Sequence, residues 1–162
     1  MAAPTTGAAA PPGVKTVIIV RHADRDTAQP SNDPPLSADG RTRALELARV
    51  LADAPLHAVY ITHYLRNRQT AAPLPRHTGE NPTVIDEVPA TLRALRAEPW
   101  GTTSLVIGHS DTVPDLVRGL TGQALPADEP IGFDRMWIVT LTPGGTTSLL
   151  RLRYGAAISP PR

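Results

Sequence analysis

Two histidines of this chain stand in matching settings. His22 follows the β-branched run Lys15–Val20 by two residues, and His109 follows the apolar run Thr103–Ile107 by two residues. Runs without polar alternation read as strands buried on both faces, as in a parallel sheet covered by helices. Ligands of such a sheet sit beyond the carboxyl ends of its strands, so if the two runs are neighbours both imidazoles face one crevice. Arg21 precedes the first histidine, and Gly108 precedes the second and lets backbone approach closely. Ser110, Asp111 and Thr112 then open a helix, where free N–H groups and the dipole favour an anion. A third segment, Thr62–Ala71, adds arginines at the same edge. Arg21 and one of Arg66 or Arg68 beside two imidazoles make a site for a dianion that accepts fork-shaped donors, which means a phosphoryl group.

Each residue taken singly has a plainer reading. A strand-end histidine usually serves packing, and it is the pairing of His22 and His109 with arginines that argues otherwise. His57, His63 and His77 lack such company and read as surface or core groups. Arg68 reads as a solvated or helix-pairing residue, Arg25 as part of an exposed loop, Asp111 as a helix N-terminal carboxylate, and Trp100, Trp137 and Tyr154 as packing aromatics. His22, His109 and Asp86 could also be read as metal ligands. Catalytic zinc wants three converging protein ligands, and guanidinium charge in the same crevice repels a cation. No metal and no cofactor are expected.

The elements that must position these groups follow from local pattern. Ser37 is a helix N-cap with Asp39 at the positive end of the dipole. Ala44, Leu47, Ala48 and Leu51 recur at helical spacing, which predicts a helix to about Ala54. A strand is expected over His57–Ile61, a short helix over Leu65–Ala72 curtailed by Pro73 and Pro75, a strand over Thr83–Asp86, and a helix over Pro89–Ala97. A helix over Thr112–Leu120 stops at Gly122, and Arg135–Leu141 and Thr146–Arg153 form a hairpin around Pro143, Gly144 and Gly145. Strands alternating with helices and ending in a hairpin predict an α/β protein: a three-layer α/β/α sandwich with a mainly parallel sheet and a C-terminal β-hairpin.

Composition narrows the class further. The chain has 162 residues, one ordinary domain: an Ala/Pro-rich leader over 1–13, a single domain over 14–155 and a tail over 156–162. Cysteine is absent, which excludes disulfides, thiolate zinc sites and cysteine nucleophiles. The net charge of +1 predicts no bulk attraction to nucleic acid or to a membrane surface. Fifteen of the 16 basic residues are arginine, so only individual arginines in context carry chemical meaning. No run approaches the roughly 20 apolar residues that span a bilayer. The leader lacks an apolar signal core, so the chain as given reads as cytoplasmic, with export after signal removal as the alternative. Oligomeric state is not legible.

Four blocks carry a resemblance. Val20-Arg21-His22-Ala23 looks like the Arg-His-Gly signature of the histidine phosphatase superfamily, whose fold is phosphoglycerate-mutase-like. Asp33–Gly40 (Asp-Pro-Pro-Leu-Ser-Ala-Asp-Gly) is similar to that family's Pro-Leu-Thr-x-x-Gly helix start. Thr62–Ala71 resembles its Ser-Pro-Leu-x-Arg-Ala-x-x-Thr-Ala stretch, which selects Arg66 over Arg68, and Val106–Ser110 resembles its Val-Gly-His segment. The blocks occur in family order, and the short members that act on phosphohistidine are the nearest in kind.

The resemblance implies that neutral His22 attacks phosphorus in line and that water hydrolyses the resulting phosphohistidine. Arg21, Arg66 and His109 hold the equatorial oxygens, with Ser110 a further phosphate contact. Neighbouring arginines should disfavour imidazolium at His22. The sequence departs from the family at Ala23, where Gly is usual, and at Thr62, where Ser is common. For the proton donor to the leaving group, Glu87 lies nearest to where the family places a Glu, with Asp86 and Asp111 as alternatives. The implied activity is hydrolysis of phosphomonoesters or phosphohistidine on small molecules or phosphoproteins. A non-catalytic phosphate-binding module is the competing class. A mutase fits less well, because Asp24-Arg25-Asp26 lacks the expected Ser and Asn.

Overall fold

The computed structural model describes residues 13–28, 30–74 and 81–158, and His77 lies outside them. The chain runs β1 (Lys15–Arg21), α1 (Ala38–Val50), β2 (Leu56–Ile61), α2 (Leu65–Ala71), β3 (Thr83–Val84), α3 (Val88–Ala97), β4 (Thr103–Gly108), α4 (Thr112–Thr121), β5 (Arg135–Leu141) and β6 (Thr147–Arg153). The six strands form one sheet in the order β3-β2-β4-β1-β5-β6. β3, β2, β4 and β1 pair in parallel, while β5 runs antiparallel to β1 and β6 antiparallel to β5.

The unbroken apolar run of β1 exists because both of its faces are covered. Ile18 and Val20 pack on one side with Leu47 and Leu51 from α1 and its end, and with Ala71 of α2. Val17 and Ile19 pack on the other with Leu95 of α3 and Val113, Leu116 and Val117 of α4. The result is the expected α/β/α sandwich. Several element ends differ from expectation by a residue or more, and three of them have a visible cause. The strand at Thr83 stops at Val84, because Asp86 is drawn into side-chain bonds with His63 instead of a ladder. Helix α1 stops at Val50, and Ala52 N–H already turns to the Arg49 carbonyl. Strand β6 begins at Thr147, because Thr142 and Thr146 bond to each other in closing the hairpin.

The loop after β1 is fixed by three neighbours. Ser37 caps α1 by accepting from Gly40 N–H at 3.0 Å, and its own N–H donates to the Asp24 carbonyl at 2.9 Å. This lays the start of α1 so close on the loop that a Cβ at Gly40 would sit 2.0 Å from Asp24 O. That contact is the physical content of the helix-start motif. From α2, Thr70 Oγ1 accepts the Ala23 N–H at 3.0 Å and donates to the Arg66 carbonyl at 2.7 Å. Buried Asn67 donates to the Ile107 carbonyl at 2.8 Å, which ties α2 to β4. Arg43 of α1 pairs with Asp24 at 2.6 Å and donates to the carbonyls of Tyr154 and Ala156, closing the loop from below. Ala23 is fully buried against Leu36 and Ala44, and no non-glycine residue among those described has positive φ, so a Cβ is accommodated there.

Gly40→Ala should therefore destabilise the fold at or above the upper end of the roughly 1–3 kcal/mol typical of overpacking. The check is the shift in urea midpoint at unchanged m-value.

Candidate functional site

The parallel register of β1 on β4 ends with Arg21 opposite Gly108, so the next residue of each strand, His22 and His109, leaves the sheet at the same edge. The backbone pairing carries one step further, with His22 N–H donating to the Gly108 carbonyl at 2.9 Å. The two rings stand 5.2 Å apart between centroids at 63°. They share the wall of an open cavity of roughly 540 Å³ with Arg21, Arg25, Thr62, Tyr64 and Arg66.

The His22 tautomer follows from its one partner. Nδ1 lies 2.8 Å from the Ala23 carbonyl oxygen, and a carbonyl can only accept, so Nδ1 carries the proton. Nε2 is then left with its lone pair. The ring is 3% exposed, and burial is the main reason its pKa falls to about 3, with His109, Arg21 and Arg66 lowering it further. His109 falls to about 4, again chiefly through burial and then through Arg66. Both rings are neutral near pH 7. His109 Nε2 is hydrogen-bonded to Thr62 Oγ1 at 2.9 Å, and its backbone N–H donates to Thr112 Oγ1, which holds the residue at the start of α4.

The arginines are held by their flat faces, with donors to spare. Arg21 lies 4.0 Å over the Phe133 ring and gives Nη1 to the Ile131 carbonyl at 3.0 Å. Arg66 lies 4.2 Å over the Tyr64 ring, with Asp33 at 3.6 Å. Arg21 Nε and Arg66 Nε and Nη1 are buried and have no hydrogen-bond partner. Stranded buried donors of this kind cost free energy unless something accepts from them. Two guanidiniums with unused donors beside two neutral imidazoles can grip a tetrahedral oxyanion and offer it a nucleophile.

The expected residues divide cleanly. Arg21, His22, Arg66, His109 and Ser110 all line the one cavity. Among the three carboxylates considered as proton donors, Asp86 and Asp111 line it, whereas Glu87 is the N-terminal cap residue of α3 and stands outside it. The early end of β3 decides which of the adjacent carboxylates Asp86 and Glu87 lines the cavity. Arg68 is exposed and donates to the His63 carbonyl. Arg25 does face the cavity, through an isolated bridge to Leu36. His63, read from sequence as a surface or core group, and Tyr64, for which no role was read, line it as well. The signal that could have found them is their place directly after a strand end, the same signal that found His22. Phe133 and Ile131 had no such signal, lying in an irregular loop before β5. No group of three or more His, Asp or Glu among the described residues is arranged to hold a metal ion, and no described helix is long and apolar enough to cross a membrane.

Residues 17–88 match the histidine phosphatase superfamily, branch 1. A search of curated proteins finds no match. Among solved structures, the protein histidine phosphatase SixA complexed with tungstate superposes with a TM-score of 0.71 at 23% identity, over 85% of this chain and 96% of that one. A Nakamurella multipartitia protein described as a candidate phosphohistidine phosphatase SixA gives 0.67 at 24% identity, over 91% of this chain and 100% of that one. A mycobacterial glucosyl-3-phosphoglycerate phosphatase gives 0.70 at 17% identity, over 84% and 97%. These likenesses establish the fold.

The neutral rings carry a pH signature. An unfolded histidine titrates near 6.5. Between that value and the depressed values of His22 and His109, the unfolded chain binds protons that the folded chain refuses. Their contribution to stability is complete above about pH 7 and is lost as pH falls toward about 4 for His109 and about 3 for His22. Wild type should lose unfolding free energy over that window more steeply than His22→Asn/His109→Asn, as read from urea midpoints at a series of pH values.

Proposed function

We propose that this chain, which carries the histidine phosphatase superfamily match in its first half and that family's fold along its length, is a phosphatase working through a phosphohistidine on His22. The observation that carries the reading is the Nδ1–H to Ala23 carbonyl bond of His22. It turns the Nε2 lone pair toward a cavity whose other walls are guanidinium and imidazole donors.

The chemistry follows from the residues. A phosphoryl dianion accepts from the unused donors of Arg21 and Arg66 and from His109, which neutralise its equatorial oxygens. Nε2 of His22 attacks phosphorus opposite the leaving group, the P–O bond breaks, and the phosphoryl group passes to nitrogen. Water then attacks the phosphohistidine, releasing phosphate and restoring the neutral ring. Burial keeps His22 unprotonated at neutral pH, so the nucleophile needs no separate base. Ser110 and the N–H groups at the start of α4 supply further anion contacts. The charge on the phosphoryl group is met by guanidinium rather than by a metal ion.

The open cavity suits phosphomonoesters or phosphohistidine presented on a small molecule or on a protein surface. Two relatives support this range, one named a protein histidine phosphatase and one a phosphatase of glucosyl-3-phosphoglycerate.

p-Nitrophenyl phosphate tests the reading, because its leaving group needs no acid. His22→Ala should remove turnover altogether. Arg21→Ala and Arg66→Ala should each lower kcat/KM by about 10²–10³, the loss typical of one preorganised donor to a developing anion. Wild type quenched in alkaline detergent should carry alkali-stable, acid-labile label from ³²P-substrate. Tungstate binding without turnover would identify a phosphate-binding module instead.

A further inference from the structure

The leaving group of an ordinary phosphate ester departs as an alkoxide and needs a proton, and among the described residues one pair at the cavity wall is arranged to provide it. His63 follows the last residue of β2 by two positions, and Asp86 follows the last residue of β3 by two. β2 and β3 are parallel neighbours, with Ile61 opposite Val84. The topology that joins His22 to His109 therefore recurs at the next pair of strands in the sheet, β2 and β3, and joins His63 to Asp86. Asp86 Oδ1 accepts both the backbone N–H of His63 at 2.8 Å and its ring Nδ1 at 2.9 Å. Two bonds to one oxygen fix the ring as well as the residue. The ring also stacks at 4.1 Å on Tyr64, which in turn meets His109 edge-on at 5.3 Å. Both His63 and Asp86 line the phosphoryl cavity.

We propose that His63, oriented by Asp86, is the catalytic acid that protonates the leaving group, and that Asp86 acts as its positioning residue. The inference rests on the phosphatase reading and names its missing proton donor. With Nδ1–H directed to Asp86, Nε2–H of the imidazolium is the proton free to move. As His22 Nε2 bonds to phosphorus and the ester P–O bond breaks, that proton passes to the departing oxygen, leaving an alcohol and neutral His63. In the second step water gives a proton back to His63 Nε2 as its oxygen bonds to phosphorus and the N–P bond of His22 breaks. Free enzyme is restored with no other reactant.

The carboxylates make poorer donors. The backbone and ring hydrogen bonds from His63 hold the Asp86 carboxyl below its usual range, so it stays ionised and accepting. Asp111 is committed to the Thr112 N–H at the start of α4, and Glu87 stands outside the cavity. The motif that Thr62–Ala71 resembles has Pro where this chain has His63.

The test compares two substrates, p-nitrophenyl phosphate and an alkyl phosphate such as glycerol 2-phosphate. His63→Gln should lower kcat on the alkyl ester by about 100-fold or more, the usual worth of a general acid, and by less than tenfold on the nitrophenyl ester. Asp86→Ala should lower the alkyl rate in the same selective way. Asp86→Asn should recover most of it, because its amide oxygen still accepts from Nδ1. Equal losses on both substrates in His63→Gln would overturn the assignment, as would a selective loss in Glu87→Gln with none in His63→Gln. An Asp86→Asn as defective as Asp86→Ala beside a mild His63→Gln would make the carboxyl itself the acid. Wild-type turnover of the nitrophenyl ester, lost in His22→Ala, upholds the phosphatase reading whichever way these variants fall. Its absence would remove both.

Discussion

The parallel pairing of β1 on β4 is the constraint from which the rest of the site follows. Each strand delivers a histidine one residue past its end, and only a register that sets Arg21 opposite Gly108 brings the two rings to 5.2 Å. A slip of one residue would also turn the apolar set of β1 over, since alternate residues face opposite cores. The site geometry is thus secured by the same burial that stabilises the sheet. Val17, Ile19 and Val20 are among the most deeply buried side chains in the protein.

Around that ladder, polar side chains do what backbone pairing cannot. The loop after His22 pairs only through the isolated bridge of Arg25 with Leu36, and its other buried groups must also be satisfied. Thr70 takes the Ala23 N–H, Asp24 O takes the Ser37 N–H, and Asp24's carboxylate takes Arg43. Helices α1 and α2 therefore serve as clamps on the loop after His22 as well as covers for the sheet. The fixed tautomer of His22 needs this rigidity. The Nδ1 bond of His22 runs to the carbonyl of the very next residue, so any drift of the loop would release the proton position.

The electrostatics of the site are unbalanced by design of the fold. Both imidazoles are kept neutral by burial, and the guanidiniums of Arg21 and Arg66 lie against aromatic faces, with Asp33 3.6 Å from Arg66. Phe133 and Tyr64 hold the arginine planes without neutralising them. Positive charge is left for a guest to compensate, which is the condition for strong oxyanion binding in a partly desolvated cleft. The acidic residues at this edge stay at the rim, where Asp86 serves His63 and Asp33 both caps α2 and approaches Arg66.

Much of this was readable in the chain. The unbroken β-branched run of β1, the amphipathic spacing of α1, the Ser37 cap and the order of motifs sufficed for the layered fold and for Arg21, His22, Arg66 and His109. Local pattern determines such features because each depends on neighbours close in sequence. The structure decided what depends on distant neighbours. Which of two adjacent carboxylates, Asp86 or Glu87, meets the cavity turned on where β3 ends, and that was set by His63, more than twenty residues earlier. Phe133 and Ile131 joined the site because β5 pairs antiparallel to β1 and returns its preceding loop to the same edge. Sequence alone determined which chemical groups were on hand and the local elements bearing them. Tertiary folding decided their company, because hydrogen bonds and ring contacts across the sheet depend on register and not on spacing along the chain.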